Sequence, residues 1–248
     1  MYNTLVYYPI YNALVFLTAL MPGNDIGLAV VVLTLLVKTI LAPLSHKTIS
    51  TQKKMKDLEP LIAEIKETHK KDREAQAVKM MELYKEHRVN PFSGIVLMFI
   101  QIPIILALFF VFQSKIDLAA DFIYSFVMKP ATIGMSFLGL IDLTQKNLLL
   151  AVLVGFTQFI QVKYSLPPTV KKEKKKDGEE DSSFGSDFAE GMNFQMKYVL
   201  PIFIGFVAYG LSAVVSLYWI VNNVFTIIHE FYVRNKAGKI ADELDISR

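Results

Sequence analysis

The chain has 248 residues, 53% of them hydrophobic and 20% charged, with a mean hydropathy of +0.38. A soluble domain of this length carries more polar surface, so the composition points to the bilayer. The absence of cysteine excludes a disulfide framework, thiolate catalysis and a cysteine zinc site, and the net charge of +3 says less than the places where the charges fall.

A helix needs about 20 apolar residues to cross about 30 Å of hydrocarbon. In chain order, Leu5–Met21 is apolar but carries Pro9, Asn12 and the neighbouring Tyr2, Tyr7, Tyr8 and Tyr11. Tyrosines favour the headgroup level, so residues 1–25 are expected to form an outside interfacial helix rather than a further span. The same residues hold no Lys or Arg, which argues against a cleavable signal. Residues 26–44 form the first expected span, with Lys38 as its charge and an end at Pro43. Residues 45–90 are charged yet periodic, with Met55, Leu58, Ile62 and Ile65 followed, after a polar break at Thr68–Asp72, by Ala77, Met81 and Tyr84. This predicts an amphipathic helical hairpin, either a solvated stalk or a docking arm.

Residues 91–112 form the second expected span, broken only by Gln101 and Pro103. Residues 113–146 form an outer loop, because Lys129–Pro130 interrupts the apolar run Phe122–Ile141. Residues 147–162 form a third, short span. Residues 163–197 contain the blocky, Gly- and Ser-bearing run from Pro167 to Glu190, which is expected to be disordered. Tyr198–Val233 is nearly uncharged and, as one helix, would reach about 54 Å, too long for one crossing. Two spans joined near Gly210–Leu211–Ser212 fit residues 198–233 better, and 234–248 form a tail. The expected fold is therefore an all-α membrane protein with five spans. Residues 45–90, 163–197 and 234–248 hold 11, 7 and 4 basic residues, against 0 in 1–25 and 3 in 113–146. The positive-inside rule then places the N-terminus outside and the C-terminus in the cytoplasm.

Polar residues at membrane depth usually face a bundle interior or a wet cavity. Lys38 lies about 9 Å from the inner end of its span, so it either snorkels to the headgroups or points into such a cavity. Thr34 shares its face one turn earlier. Ser212, Ser216, Trp219 and Asn223 fall at i, i+4, i+7 and i+11 on the last span. Gln158 and Gln161 share a face on the third, and Gln101 sits midway along the second. These groups are either interhelical hydrogen-bonding glue or the lining of a shared polar concavity. The four histidines lack metal-site spacing, and no nucleophile elbow or phosphate loop is present. No enzyme activity, cofactor or metal is expected.

Four segments, in order along nearly the whole chain, resemble the YidC/Oxa membrane protein insertase family. They are L-T-L-L-V-K-T-I-L-A-P-L (Leu33–Leu44), M-K-D-L-E-P (Met55–Pro60), M-M-E-L-Y-K-E-H-R-V-N-P-F-S-G (Met80–Gly94) running into I-Q-I-P, and S-L-Y-W-I-V-N-N-V-F-T-I-I (Ser216–Ile228). The resemblance implies five core helices around a groove open to cytoplasm and lipid, closed outside, in a bacterial inner membrane protein. The family's groove cation, usually Arg, maps onto Lys38, and its polar neighbour onto Thr34. A groove-lining aromatic maps onto Tyr218 or Trp219. Nascent membrane proteins are the implied substrates. The ribosome or targeting factors would meet residues 48–88, the Sec translocon is an implied partner, and no DNA partner is expected. This chain departs from the pattern in carrying Gly210–Leu211–Ser212–Ala213 where relatives commonly place Pro. Its tail after Val233 is short and of mixed charge. A transporter or channel is the competing class, but the outer halves Ile26–Leu33, Ile105–Val111 and Leu148–Val154 are uniformly apolar, which favours a half-channel.

Overall fold

The computed structural model describes residues 1–70, 72–90, 93–113, 116–165 and 194–246. The chain is helical almost throughout. A π-helical turn, Asn3–Tyr7, leads into α1 (Tyr8–Leu20), and a 3-10 turn at Pro22–Asn24 reverses the chain into α2 (Ile26–Asp57). Gly23 makes this reversal possible by adopting φ 66°, a left-handed conformation that a side chain would strain. Asp25 starts α2 by accepting from the Leu28 amide at 3.0 Å, which satisfies one of the orphan donors of the first turn.

Pro43 does not end this helix as expected from the sequence; α2 continues through it to Asp57. A proline removes one amide donor, while the turns on either side keep theirs. The first part of residues 45–90 is thus a continuation of the first span. It is followed by α3 (Glu59–Thr68) and α4 (Arg73–Glu86), the latter capped by Asp72, which accepts from Glu74 and Ala75. Leu58 packs with Tyr84 and Val89, flanked by Met55, Ile62 and Met80. At the other end Gln76 donates to the Lys66 carbonyl at 3.3 Å. The start of α3 therefore meets the end of α4, and the two run antiparallel. Met80 joins this seam, whereas Met81 is exposed.

α5 (Ser93–Gln113) is followed by an irregular segment holding a two-stranded antiparallel hairpin, β1 (Ser136–Phe137) with β2 (Ile141–Asp142). Then come α6 (Leu148–Ser165), a helical turn at Gln195–Val199, α7 (Leu200–Gly210) and α8 (Ala213–Ile246). The chain breaks at Leu211, whose backbone is extended (φ −102°, ψ 169°), and α8 continues well past Val233. Among the described residues three helices are long and apolar enough to cross a membrane: α2, α6 and the Ala213–Val233 part of α8. The disorder expected for Pro167–Glu190 lies outside the described residues.

The segment after α5 gathers one end of the bundle. The Gly134 carbonyl accepts from Ile26 at the start of α2, and the Gln145 and Leu143 carbonyls accept from Ala213 and Val214 at the start of α8. The same segment clasps α1. The Tyr11 hydroxyl donates to the Asp117 carbonyl and accepts from the Asp117 amide, both at 2.7 Å. Asn12 donates to Phe122 and accepts from Tyr124. At the opposite end Ser165 of α6 donates to the Glu230 carboxylate of α8 at 2.6 Å.

α1 is packed lengthwise against α2 and α5, and its leading turn reaches α5 through a Tyr2 hydroxyl bond to the Pro103 carbonyl. Tyr11, Leu14 and Val15 are fully buried in the main core, with Ile26, Val30, Val111 and Val214. A second core joins α6 and α7 through Ala151, Val154 and Ala208, and Trp219 of α8 packs against both.

Candidate functional site

α2 sets Thr34 and Lys38 one turn apart on the face that meets α8 and α5. Thr34 is buried and spends its hydroxyl on its own helix, donating to the Val30 carbonyl at 2.7 Å. Lys38 is half-buried. Its Nζ donates across the helix interface to Thr226 Oγ1 of α8 at 3.4 Å, the long end of hydrogen-bonding range, so the ammonium is held loosely. Thr226 in turn donates to the Asn222 carbonyl at 2.7 Å.

Gln101 of α5 and Tyr218 of α8 meet side chain to side chain, Gln101 donating to the Tyr218 hydroxyl. Thr34, Lys38, Gln101 and Tyr218, with Ile10, Leu33, Val37, Ile104 and Leu108, line one narrow groove whose free volume of about 10 Å³ has room for about one water. Its wall is apolar except for those four side chains. Such a groove offers one cation, one amide and two hydroxyls in an otherwise dry setting, where a polar group is attracted far more strongly than in water.

The other residues singled out in the sequence lie elsewhere. Ser216 is buried where α8 turns back on α7 and donates to the Ala208 carbonyl at 3.4 Å. Asn223 is fully buried and donates to Thr157 of α6 at 3.2 Å. Both therefore make bonds that hold α8 to its neighbours. Gln158 is buried and Gln161 half-buried on α6, outside the groove lining, and Trp219 joins the two cores. The structure thus brings Lys38, Thr34, Gln101 and Tyr218 together and leaves Gln158, Gln161, Ser216, Trp219 and Asn223 outside the groove lining.

Sequence reading passed over Thr226, Asn222, His229 and Ile10. The first three, with Tyr218, fall at i, i+4, i+8 and i+11, a face adjacent to the stripe that was singled out. That period was present in the sequence; which of two neighbouring polar faces met Lys38 was not. Ile10 could not be found at all, since α1 bears no polar signal pointing at α2. No group of three or more metal-ligating side chains occurs among the described residues.

Comparison with known proteins places this geometry. A family model described as 60Kd inner membrane protein matches residues 16–240. The chain belongs to this family, YidC/Oxa. It is 33% identical over 210 residues to the membrane protein insertase YidC of Francisella tularensis subsp. novicida (strain U112), covering 84% of this chain and 32% of that protein. The same figures hold for YidC of Francisella tularensis subsp. tularensis (strain SCHU S4 / Schu 4). The chain thus spans about a third of the length of the curated YidC relatives it matches. The match takes in every helix from α2 to α7 and all four polar groove residues, so the groove's polar lining lies inside the part that carries the family likeness, while Ile10 lies before it.

Proposed function

We propose that this chain is a membrane protein insertase and folding helper that receives nascent membrane proteins in the Lys38 groove, without nucleotide hydrolysis. The observation that carries the reading is one loosely held ammonium, joined by the Gln101–Tyr218 pair, in a groove cut into apolar helices of a YidC/Oxa family chain. A polar, often acidic, segment of a substrate must cross hydrocarbon that charges strongly disfavour. A polar recess part-way through shortens the dry path, and partitioning of the substrate's own apolar helix supplies the drive. A transporter would need polar lining toward both faces. The groove's upper lining instead comes from Ile10, Leu33, Ile104 and Leu108.

The reading includes five crossings, by α2, α5, α6, α7 with its preceding turn, and α8. What supports the count is the clustering of ends. The segment of residues 116–147 bonds the starts of α2 and α8, while Ser165 meets Glu230 at the other end. α5 spans 21 residues, about 31 Å at 1.5 Å per residue, enough for the hydrocarbon. The basic bias puts the α3–α4 hairpin in the cytoplasm, with residues 48–88 as the surface for the ribosome or targeting factors. The Sec translocon is a further partner under this reading, and the inner membrane its location.

The function is tested by reconstituting the purified chain in vesicles and following entry of a short single-span substrate, without nucleotide, by protease protection. Entry above empty vesicles is expected, and entry equal to them would sink the proposal. For topology, single cysteines replacing Lys146 and Glu67 in this cysteine-free chain should react with an impermeant reagent from outside and from the cytoplasmic side respectively. Reaction of both from one side would overturn the arrangement.

A further inference from the structure

Below the groove, the α2–α8 seam stays polar. Lys38 meets Thr226, and about two turns further along α2 and one further along α8 the rings of His46 and His229 stand with centroids 6.2 Å apart, with Phe225 5.9 Å from His229. His46 lies 20 residues into α2, about 30 Å from its start, which is the far edge of the hydrocarbon. His46 is exposed and His229 half-buried, so the pair stands at a mouth and not in a core. Both His46 and Lys38 are near enough to His229 to act on it electrostatically. Glu230, the next residue, faces α6 instead, where it accepts from Ser165, and leaves the pair without its carboxylate. Asn222 Oδ1, buried and without a hydrogen-bond partner, sits one turn above Thr226 on the same face. Polar groups therefore recur along the α2–α8 seam, from the two rings to the Lys38 that lines the groove.

We propose that His46 and His229 form a second receiving site, which takes up carboxylates of an acidic substrate segment at the cytoplasmic mouth before Lys38 receives them. This rests on the insertase reading above. Two imidazoliums and an ammonium along one seam repel one another, and a carboxylate between them relieves that repulsion. Imidazole is the side chain whose charge responds to pH between about 5 and 8. The receiving site thus gains positive charge as pH falls within that window. Carboxylates of the substrate, titrating near 4, stay ionised throughout.

The test is insertion of matched acidic-tail and neutral-tail substrates into phosphatidylcholine vesicles holding the full chain, at pH 7.5 and 6.0. Wild type should insert the acidic-tail substrate about threefold faster at pH 6.0 than at pH 7.5, and the neutral-tail substrate equally at both. The His46→Gln/His229→Gln variant should lose the pH response. His46→Lys, at an exposed position, should keep rapid acidic-tail entry at pH 7.5 with a flattened response. Wild type that inserts both substrates with no pH response overturns this site and leaves the insertase reading standing, whereas failure to insert either overturns the insertase reading. A response that disappears when phosphatidylglycerol is added assigns the pair to lipid phosphate and also overturns the proposal.

Discussion

Lys38→Glu should slow insertion of substrates with acidic outer tails by about a hundredfold while sparing neutral-tail ones. Lys38 is the charged side chain in the groove lining, and its bond to Thr226 at 3.4 Å is weak enough to be exchanged for a carboxylate. At an effective dielectric between protein and water, a contact at about 4 Å is worth roughly 1–4 kcal/mol. Since about 1.4 kcal/mol is a tenfold change, Lys38→Ala should slow acidic-tail entry by about tenfold. Reversal of the charge adds repulsion of similar size, so Lys38→Glu should slow it by about a hundredfold. Lys38→Arg keeps the charge and should stay close to wild type. If Lys38 only snorkels to the headgroups, the Ala variant would be harmless or more stable, since a costly charge has left the span. Rates for both substrates across the four proteins decide. Equal rates for wild type, Ala and Glu would remove the charge from the mechanism and leave the family assignment untouched.

The second large effect is expected far from the groove, where α6 and α7 cross. A Cβ on Gly205 would stand 3.3 Å from the Ala151 carbonyl oxygen and 3.4 Å from the Gly155 Cα, and one on Gly155 would stand 3.2 Å from the Pro201 carbonyl. These neighbours are backbone, so they yield only if the helices part. In a membrane, close backbone approach through small residues is a main source of helix association. Gly205→Val should therefore cost about 1–3 kcal/mol, the usual range for overpacking, lowering the melting temperature in detergent by about 3–10 °C for a chain of this size. Gly210→Ala is the control, since nothing lies within 4 Å of its Cβ position. Equal melting of the two variants would show that the crossing contributes nothing.

Hydropathy and charge placement in the sequence alone determined that this is a helical membrane protein and located most of its long helices. The break at Leu211–Ser212 was also legible, because a nearly uncharged run of 36 residues exceeds one bilayer thickness as a single helix. Lys38 with Thr34 stood out because a charge inside a span is costly and i, i+4 fixes a shared face. Local chemistry could not settle where α2 ends: a proline signals a stop, yet the helix passes through Pro43 to Asp57. Nor could it say which polar face of α8 turns to Lys38. Tyr218 and Thr226 meet the groove and its seam, while Ser216 and Asn223 bond to α7 and α6. A helix's rotation about its axis is set by all its neighbours at once, and two polar stripes on one helix carry no label for their partners. For the same reason only the tertiary structure put α1 at the groove. Its apolar residues suit lipid and protein equally, and the decision came from Tyr11 and Asn12, whose bonds to Asp117, Phe122 and Tyr124 join positions more than a hundred residues apart.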